Sequence, residues 1–505
     1  LGFQQGGGSF IFSSVLDYTD PALIMLTDPQ GWGQAGFIKE PQTDDELRAL
    51  RLSAERQLEN GPFSSWEFGI NYSERTKDKT SIEAFIDLNC SPGPVNSCSV
   101  PVPVGLRQGS TALAFLGIPG MLTYDPVALL GTAGIYTLRP NLNPDVISKT
   151  WGVEENVAVY YTQLNVDHEL GGVPVTGNVG IQFVDTEQLS TGAVAQPGGG
   201  GTFVRVQQGD SYLEMLPSLN LSFEVADNSF LRLGVARTLA RARMDQMRAS
   251  FEVGHNVSQF TNANPTSSLS YWGGSGGNPA LRPWIADSFD ISFEHYLGDS
   301  DGYVAIAAFH KELESYIFSQ TIPYDFAGFP LHNGAVGEPA TRQGFASSFQ
   351  NGSGGYIQGL ELTANIPGEV VLDALEGFGV VFNASFNDSN IQPPENQASA
   401  LPGLSETVIN TTVYFERAGF EARVSNRYRD DFLGEVTGFG AGRELRLVNG
   451  ESILDAQLGY RFESGPLEGL ALQLQANNIT DEPFSTYSNG DERLIRDFQS
   501  YGTTY

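Results

Sequence analysis

The sequence predicts an all-β chain, an antiparallel transmembrane β-barrel of about sixteen strands with long extracellular loops. Three observations carry this. Apolar and polar residues alternate over stretches of ~10 residues, as they do when a strand turns successive side chains to opposite faces. These stretches come in pairs joined by short turns, while the pairs themselves are joined by long irregular segments. No stretch approaches the ~18 apolar residues of a membrane helix, although aromatics make up 11% of the 505 residues. A soluble sandwich shares the alternation, but gives no reason for short turns to alternate with long loops.

Taken in order, residues 2–12 read as a strand, followed by a loop holding Trp32. Alternation sets in at Leu50, with Leu50, Leu52 and Ala54 opposite Arg51, Ser53 and Glu55. After the turn Glu59-Asn60-Gly61-Pro62, Trp66, Phe68, Ile70 and Tyr72 oppose Glu67, Gly69 and Asn71. Residues 78–150 read as a long connection rich in Pro and Gly. Hairpins follow at 157–168 with 173–186, 212–225 with 230–240, and 285–297 with 303–318, separated by expected loops at 190–210 and 244–284. A loop at 320–353 precedes strands near 355–366 and 377–388. A loop at 389–404 precedes strands at 406–417 and 419–429. After a loop at 431–450 comes the clearest hairpin, with Leu454, Ala456, Leu458, Tyr460 and Phe462 on one face. Leu470, Leu472, Leu474 and Ala476 continue the pattern beyond its Gly-Pro turn. A loop at 481–495 and a last partial strand to Tyr505 end the chain. Trp66, Tyr72, Tyr296, Tyr460 and Phe462 fall near strand ends on the apolar face, where an interfacial girdle belongs.

The formal charge of −31 argues against nucleic acid as a partner, since phosphate binding needs a basic surface. The acidity either serves solubility or marks acidic loops that hold divalent cations or repel small anions. Glu67, Glu224, Asp290 and Glu294 fall on the polar parity and would make a barrel lumen acidic and hydrated. The chain opens at Leu1 without an initiator Met, a charged n-region or an apolar h-region, and reads as a mature or partial chain.

Six segments, in order and with matching spacing, resemble the C-terminal barrel of TonB-dependent receptors of the large-loop, carbohydrate-uptake branch. They are E-M-L-P-S-L-N-L (214–221), L-R-L-G-V-A-R-T-L-A-R-A-R (231–243), G-G-N-P-A-L-R-P-W-I-A-D-S-F-D-I-S-F-E (276–294), G-G-Y-I-Q-G-L-E-L (354–362), L-Q-A-N-N-I-T-D-E-P-F (474–484) and Y-G-T-T-Y (501–505). The resemblance implies part of a barrel of about twenty-two strands whose lumen holds an N-terminal plug. Residues 1–505 are then barrel alone, with the plug domain, the TonB-contacting segment and about six strands outside this sequence. Sixteen strands could instead close as a porin-like barrel with an open lumen. The resemblance further implies the outer membrane of a Gram-negative bacterium, contact with the lipid bilayer and lipopolysaccharide, and a surface lipoprotein as a candidate partner. It also implies energy from TonB-ExbB-ExbD through the N-terminal part. Binding of a nutrient at the outer loops and its import is the function implied, an oligosaccharide first and a ferric siderophore next. A passive pore or a structural scaffold is the alternative.

Enzyme chemistry is poorly supported. Gly273-Gly274-Ser275-Gly276-Gly277 satisfies G-x-S-x-G, but Asn278-Pro279 follows where a nucleophile elbow needs a helix. The five His residues form no H-x-x-x-H pair, and Asp299-Ser300-Asp301-Gly302 lacks the remaining ligands of a calcium loop. No metal site or cofactor is implied. The ligand signal lies in loop aromatics and their neighbours: Tyr271, Trp272, Trp32, Tyr324, Asp325 and Phe326. Flat rings pack the C–H faces of sugars while Asp oxygens take hydroxyls; the competing reading is that the rings pack loop against loop. Arg237, Arg241 and Arg243 are expected near a strand top, facing the lumen and meeting a plug carboxylate or an anionic ligand, or else a lipid phosphate at the rim.

Cys90 and Cys98 bracket a Pro-Gly-Pro turn in C-S-P-G-P-V-N-S-C and are the chain's two cysteines. A local disulfide is expected in an oxidising compartment, against a pair of reduced buried thiols. Mass spectrometry without reductant should therefore find one cross-linked peptide spanning this loop; free thiols at both positions would end the disulfide expectation.

Overall fold

The computed structural model describes residues 2–6, 9–28, 31–89, 99–132, 134–195, 201–298, 300–392, 400–437, 443–488 and 491–505. Cys90 and Cys98 lie outside them. Fourteen strands pair successively into one wall. They are β1 Gly36–Gln57, β2 Phe63–Leu88, β3 Trp151–Leu170, β4 Val173–Ala195, β5 Phe203–Ala226, β6 Ser229–Ala240 and β7 Trp284–Tyr296. The series continues with β8 Tyr303–Asp325, β9 Gln343–Pro367, β10 Phe378–Ile391, β11 Thr407–Arg417, β12 Phe420–Arg429, β13 Glu451–Arg461 and β14 Ala471–Ala476. Every neighbour is antiparallel. Seven connections therefore gather on one rim, none longer than 368–377, and six on the other, among them the long segments 89–150 and 241–283.

Register sorts the side chains. Ile70, Tyr160, Phe183 and Met215 stand abreast on adjoining strands, as do Leu233 with Ile291 and Val413 with Val424 and Ala456. Most of these bulky side chains are exposed, which in water would be an aggregation hazard but is the outer belt a bilayer requires. On the other parity, polar groups satisfy one another. Tyr161 donates to Glu67 at 2.7 Å and accepts from Arg51 at 3.2 Å, and Arg232 pairs with Glu294 at 2.9 Å. Gly69 leaves the space that the Tyr161 ring occupies, since a Cβ there would lie 2.8 Å from it.

The wall departs from the sequence expectation at its ends and above the belt. Among the described residues fourteen strands make the wall, against the expected number of about sixteen. Gly2–Gly6 and Ser9–Ser13 form two strands paired with each other, Gly2↔Ser13 to Gly6↔Ser9. Residues 491–499 pair with Phe484–Ser488 in a separate four-stranded sheet with 432–437 and 443–448, where a loop at 481–495 was expected. The expected loop at 190–210 is largely strand and that at 320–353 half strand: pairing runs to Ala195↔Phe203 and Asp325↔Gln343. Likewise β1 begins at Gly36, and β2 continues to Leu88. Beyond the membrane both faces of a strand meet water or loops, so backbone pairing persists while the apolar alternation that betrays it disappears.

Ile291 sits within the belt beside the inward-facing Ser292. Ile291→Arg should cost about 2–4 kcal/mol of stability in a bilayer, the price of a cation on the lipid face near midplane. Ser292→Arg should cost clearly less. Denaturant unfolding in lipid vesicles checks this, and equal losses would mean the faces are assigned wrongly.

Candidate functional site

The long connections fold down against the upper wall. The β6–β7 connection contributes a hairpin, Phe251–His255 with Trp272–Gly276. Its first arm pairs parallel with the top of β4 and its second with the top of β9. This is where the G-x-S-x-G run lies: it is a strand, and Ser275 donates to Glu252 at 2.7 Å. Gly274 and Gly276 lack side chains where the Phe251 ring lies, 2.5 and 2.7 Å from their would-be Cβ atoms.

Around this hairpin four of the expected ligand residues come together, and three of them are buried. Trp272 and Phe326 are 0% exposed and stack at 5.4 Å with planes 5° apart; Tyr271 is 2% exposed. The Arg342 guanidinium covers the Trp272 ring at 5.3 Å, and Gly344 leaves room for the close approach of the Trp272 backbone and the Phe326 ring. Tyr324 stacks on Phe251 at 5.2 Å. Asp325 uses its carboxylate to accept from the Ala327 N–H at 2.9 Å. Tyr271, Trp272 and Phe326 thus form a small loop core and present no free ring face to a ligand.

Trp32 differs. It is 63% exposed and stands at the edge of a cavity of ≈1120 Å³ at the long-loop rim. Asp28 sets its position: this carboxylate accepts from the N–H groups of Trp32, Gly33 and Gln34 at 3.1, 2.7 and 3.3 Å. Burial alone would raise the Asp28 carboxyl, but those N–H groups outweigh it and hold it below its ordinary value. The cavity is walled by the tops of β1 to β3 and of β7 to β10, and by the β6–β7, β10–β11 and β12–β13 connections. The half-buried Trp284 lines it, with Tyr316 packed against its ring at 4.6 Å and, like Trp151, buried. Six basic side chains reach it: Lys39, Lys79, Lys149, Arg241, Arg243 and Arg248, with six carboxylates. None of these except Arg241 and Arg243 was singled out from sequence, because the basic residues come from distant segments that only the closed mouth brings together.

The expected arginines divide. Arg241 lies 3.6 Å from the buried Glu155, and Arg243 pairs with Asp245 at 2.6 Å and Glu435 at 3.2 Å; both line the cavity. Arg237 does not. It shares the parity of Leu233 and Val235 and pairs with Asp287 and Glu314, so it stands on the outer face above the belt rather than in the lumen. The strand period decides this: Arg237 is two residues from Val235, Arg241 lies beyond the strand end.

Among the described residues no group of three or more metal-ligating side chains could hold an ion, and no helix is long and apolar enough to cross a membrane. A wall of paired strands with an outward apolar belt and a charged mouth defines a membrane β-barrel. The chain matches the family model "TonB dependent receptor-like, beta-barrel" over residues 1–479, and it belongs to that family, whose members are outer-membrane receptors and transporters of Gram-negative bacteria rather than enzymes. Among solved structures it is similar to the siderophore receptor PiuA from Acinetobacter baumannii, with 13% identity and a TM-score of 0.52 over 92% of this chain and 55% of that one. Two others are the ferric preacinetobactin receptor BauA from Acinetobacter baumannii (11% identity, TM-score 0.49, 93% and 55% covered) and the ferric-catecholate import receptor Fiu from E. coli K12 (14%, 0.49, 88% and 52%). At such identities the likeness to PiuA concerns the fold alone. The chain spans about half the length of these structures. No curated protein sequence matches it.

The hairpin is tied to the β8–β9 connection through two imidazoles. His255 stacks on Tyr271 at 4.9 Å and its Nε2 meets the Pro330 carbonyl at 3.2 Å, while the Tyr271 hydroxyl meets His332 Nδ1 at 2.8 Å. The rings are 5.9 Å apart. Burial first, then His332 and Arg342, depress the His255 pKa, against a raising effect of the Pro330 carbonyl. A histidine with a lowered folded pKa favours folding above its unfolded value of about 6.5 and loses that contribution as pH falls through it. The opening free energy of residues 251–276 and 326–342, read from hydrogen exchange after correction for the intrinsic rate at each pH, should therefore fall between pH 7.5 and pH 5.5, and His255→Phe should flatten that response. An opening free energy in these segments that does not change with pH in the parent protein would remove the histidine tie.

Proposed function

We propose that this chain is the barrel portion of an outer-membrane uptake receptor that captures a nutrient in the mouth cavity and passes it to the periplasm. The import step is driven by TonB-ExbB-ExbD acting through an N-terminal plug-bearing part of the natural protein. The observation that carries the reading is the ≈1120 Å³ cavity, which combines aromatic faces with charged groups on rigid strand tops, as small-molecule sites do. Trp32, presented by Asp28, is its exposed aromatic element. The barrel wall supplies the passage, with its apolar belt against the bilayer and lipopolysaccharide and its polar parity inward.

Two ligand classes fit this frame. An oligosaccharide would lay a ring face on Trp32 and Trp284. A siderophore, as the name of the receptor PiuA has it for that protein, would meet the basic side chains. Intact mass and N-terminal sequencing of the natural polypeptide test the receptor reading. A mass well above 54.6 kDa, with a plug-like extension ahead of Leu1, is the expected result. A natural mass equal to that of these residues would leave a pore or a scaffold, without TonB-driven import.

A further inference from the structure

We infer that the outer wall carries a phospholipid site at its short-connection end. A hollow across β10 to β14 holds an acyl chain of a zwitterionic diacyl phospholipid, whose headgroup meets Arg417 and Glu376. The site depends only on the outer face meeting lipid, not on the uptake reading. Elsewhere the belt stands bulky side chains abreast, as with Ile70, Tyr160, Phe183 and Met215. Here the register sets small side chains among large ones. Ala422 falls between Phe415 and Leu458, and Ala456 between Val424 and Ala476. The result is a hollow of ≈340 Å³. Phe378 packs on Phe415 at 4.6 Å and Phe415 on Phe420 at 5.9 Å, which gives the hollow a fixed aromatic flank. Tyr414, Arg423 and Gln457 turn inward by the two-residue period, so the side chains bordering the hollow are apolar.

Position and charge identify the occupant. Phe378 opens β10 and Phe415 lies two residues before the end of β11, so the hollow begins at the short-connection rim. That rim is the periplasmic one in outer-membrane barrels, where the leaflet is phospholipid. Ordered water needs ~2–4 polar partners, which apolar walls do not supply, so in a bilayer hydrocarbon fills the space. Just below it Arg417 continues the outward parity of Val413 and Phe415. Its guanidinium pairs with Glu376 at 2.9 Å, and both side chains are more than half exposed. Such a pair adds little to stability, but it presents adjacent charges of both signs. A phosphoethanolamine headgroup carries the complementary two: its phosphate suits the guanidinium fork, and its ammonium suits the carboxylate. A phosphoglycerol headgroup offers the anion alone and leaves Glu376 facing a like charge.

Native mass spectrometry tests this. The natural full-length protein, delipidated in mild detergent, is titrated with dioleoyl phosphatidylethanolamine and with dioleoyl phosphatidylglycerol. The same titrations use Ala456→Phe, which fills the hollow, Arg417→Gln, and Ala54→Phe on the belt face of β1 as a control. Each variant is first checked for native strand content and heat resistance. The first phosphatidylethanolamine should bind several-fold more tightly than later ones and than the first phosphatidylglycerol. Ala456→Phe should abolish that preference, and Ala54→Phe should leave it intact. Arg417→Gln should weaken the first phosphatidylethanolamine roughly fivefold, the effect of one basic side chain at a headgroup. Successive lipids of equal affinity, equal affinity for the two headgroups, or a first-lipid affinity unaltered in either Ala456→Phe or Arg417→Gln would overturn the inference. So would a protein dimer that is lost in Ala456→Phe, which would assign the hollow to a second copy of the chain. None of these outcomes touches the receptor reading, which depends on the natural N-terminal extension.

Discussion

Hydrocarbon offers no hydrogen-bond partner, so each backbone N–H and C=O that crosses the bilayer must be met by another strand. The rest of this structure follows from that demand. It gives a ladder in which β1 to β14 are each antiparallel to the next. Once pairing is fixed, the two-residue period sends Leu233, Ile291 and Leu458 to lipid and Arg232, Ser292 and Gln457 inward. The inward groups then answer one another, as Arg427 does Asp455 at 3.1 Å, because a polar lumen must satisfy its own side chains or hold water.

Above the membrane the same pairing continues without being compelled by lipid. β4 and β5 stay zipped to Ala195↔Phe203, and β8 and β9 to Asp325↔Gln343. The inserted hairpin at 251–276 then runs parallel to the tops of both β4 and β9, bridging strands that are not wall neighbours. Trp272, Phe326 and Tyr271 lock this bridge by stacking. The aromatic residues with the strongest appearance of a binding site are thus spent on holding the mouth in shape, and the cavity is what that rigidity encloses.

Charge distribution gives the cavity its character. Carboxylates outnumber cations about two to one in the chain but only match them at the mouth. Pairs such as Lys149 with Glu83 tie connections to strand tops, with Glu83 nearly buried. The outer-face cluster of Arg237, Asp287 and Glu314 lies beyond Val235 toward the long-loop end of β6. One arginine-rich segment therefore serves two environments, because its first member is still on the strand and its last members have left it.

What the sequence determined by itself is the membrane-facing part: the strand class, the alternation of short and long connections, the face of each belt residue and the family-like segments. Alternation is a local signal with a period of two, and it is visible wherever one face meets lipid and the other water. The tertiary structure decided the strand continuations above the belt, the terminal segments that leave the wall, and the division of the aromatics into buried core and exposed Trp32. It also assembled Lys39, Lys79, Arg241 and Arg248 from segments far apart in the chain. These features depend on which distant residues meet. A burial such as that of Trp272 beneath Arg342 and beside Phe326 leaves no periodic trace in the residues that make it.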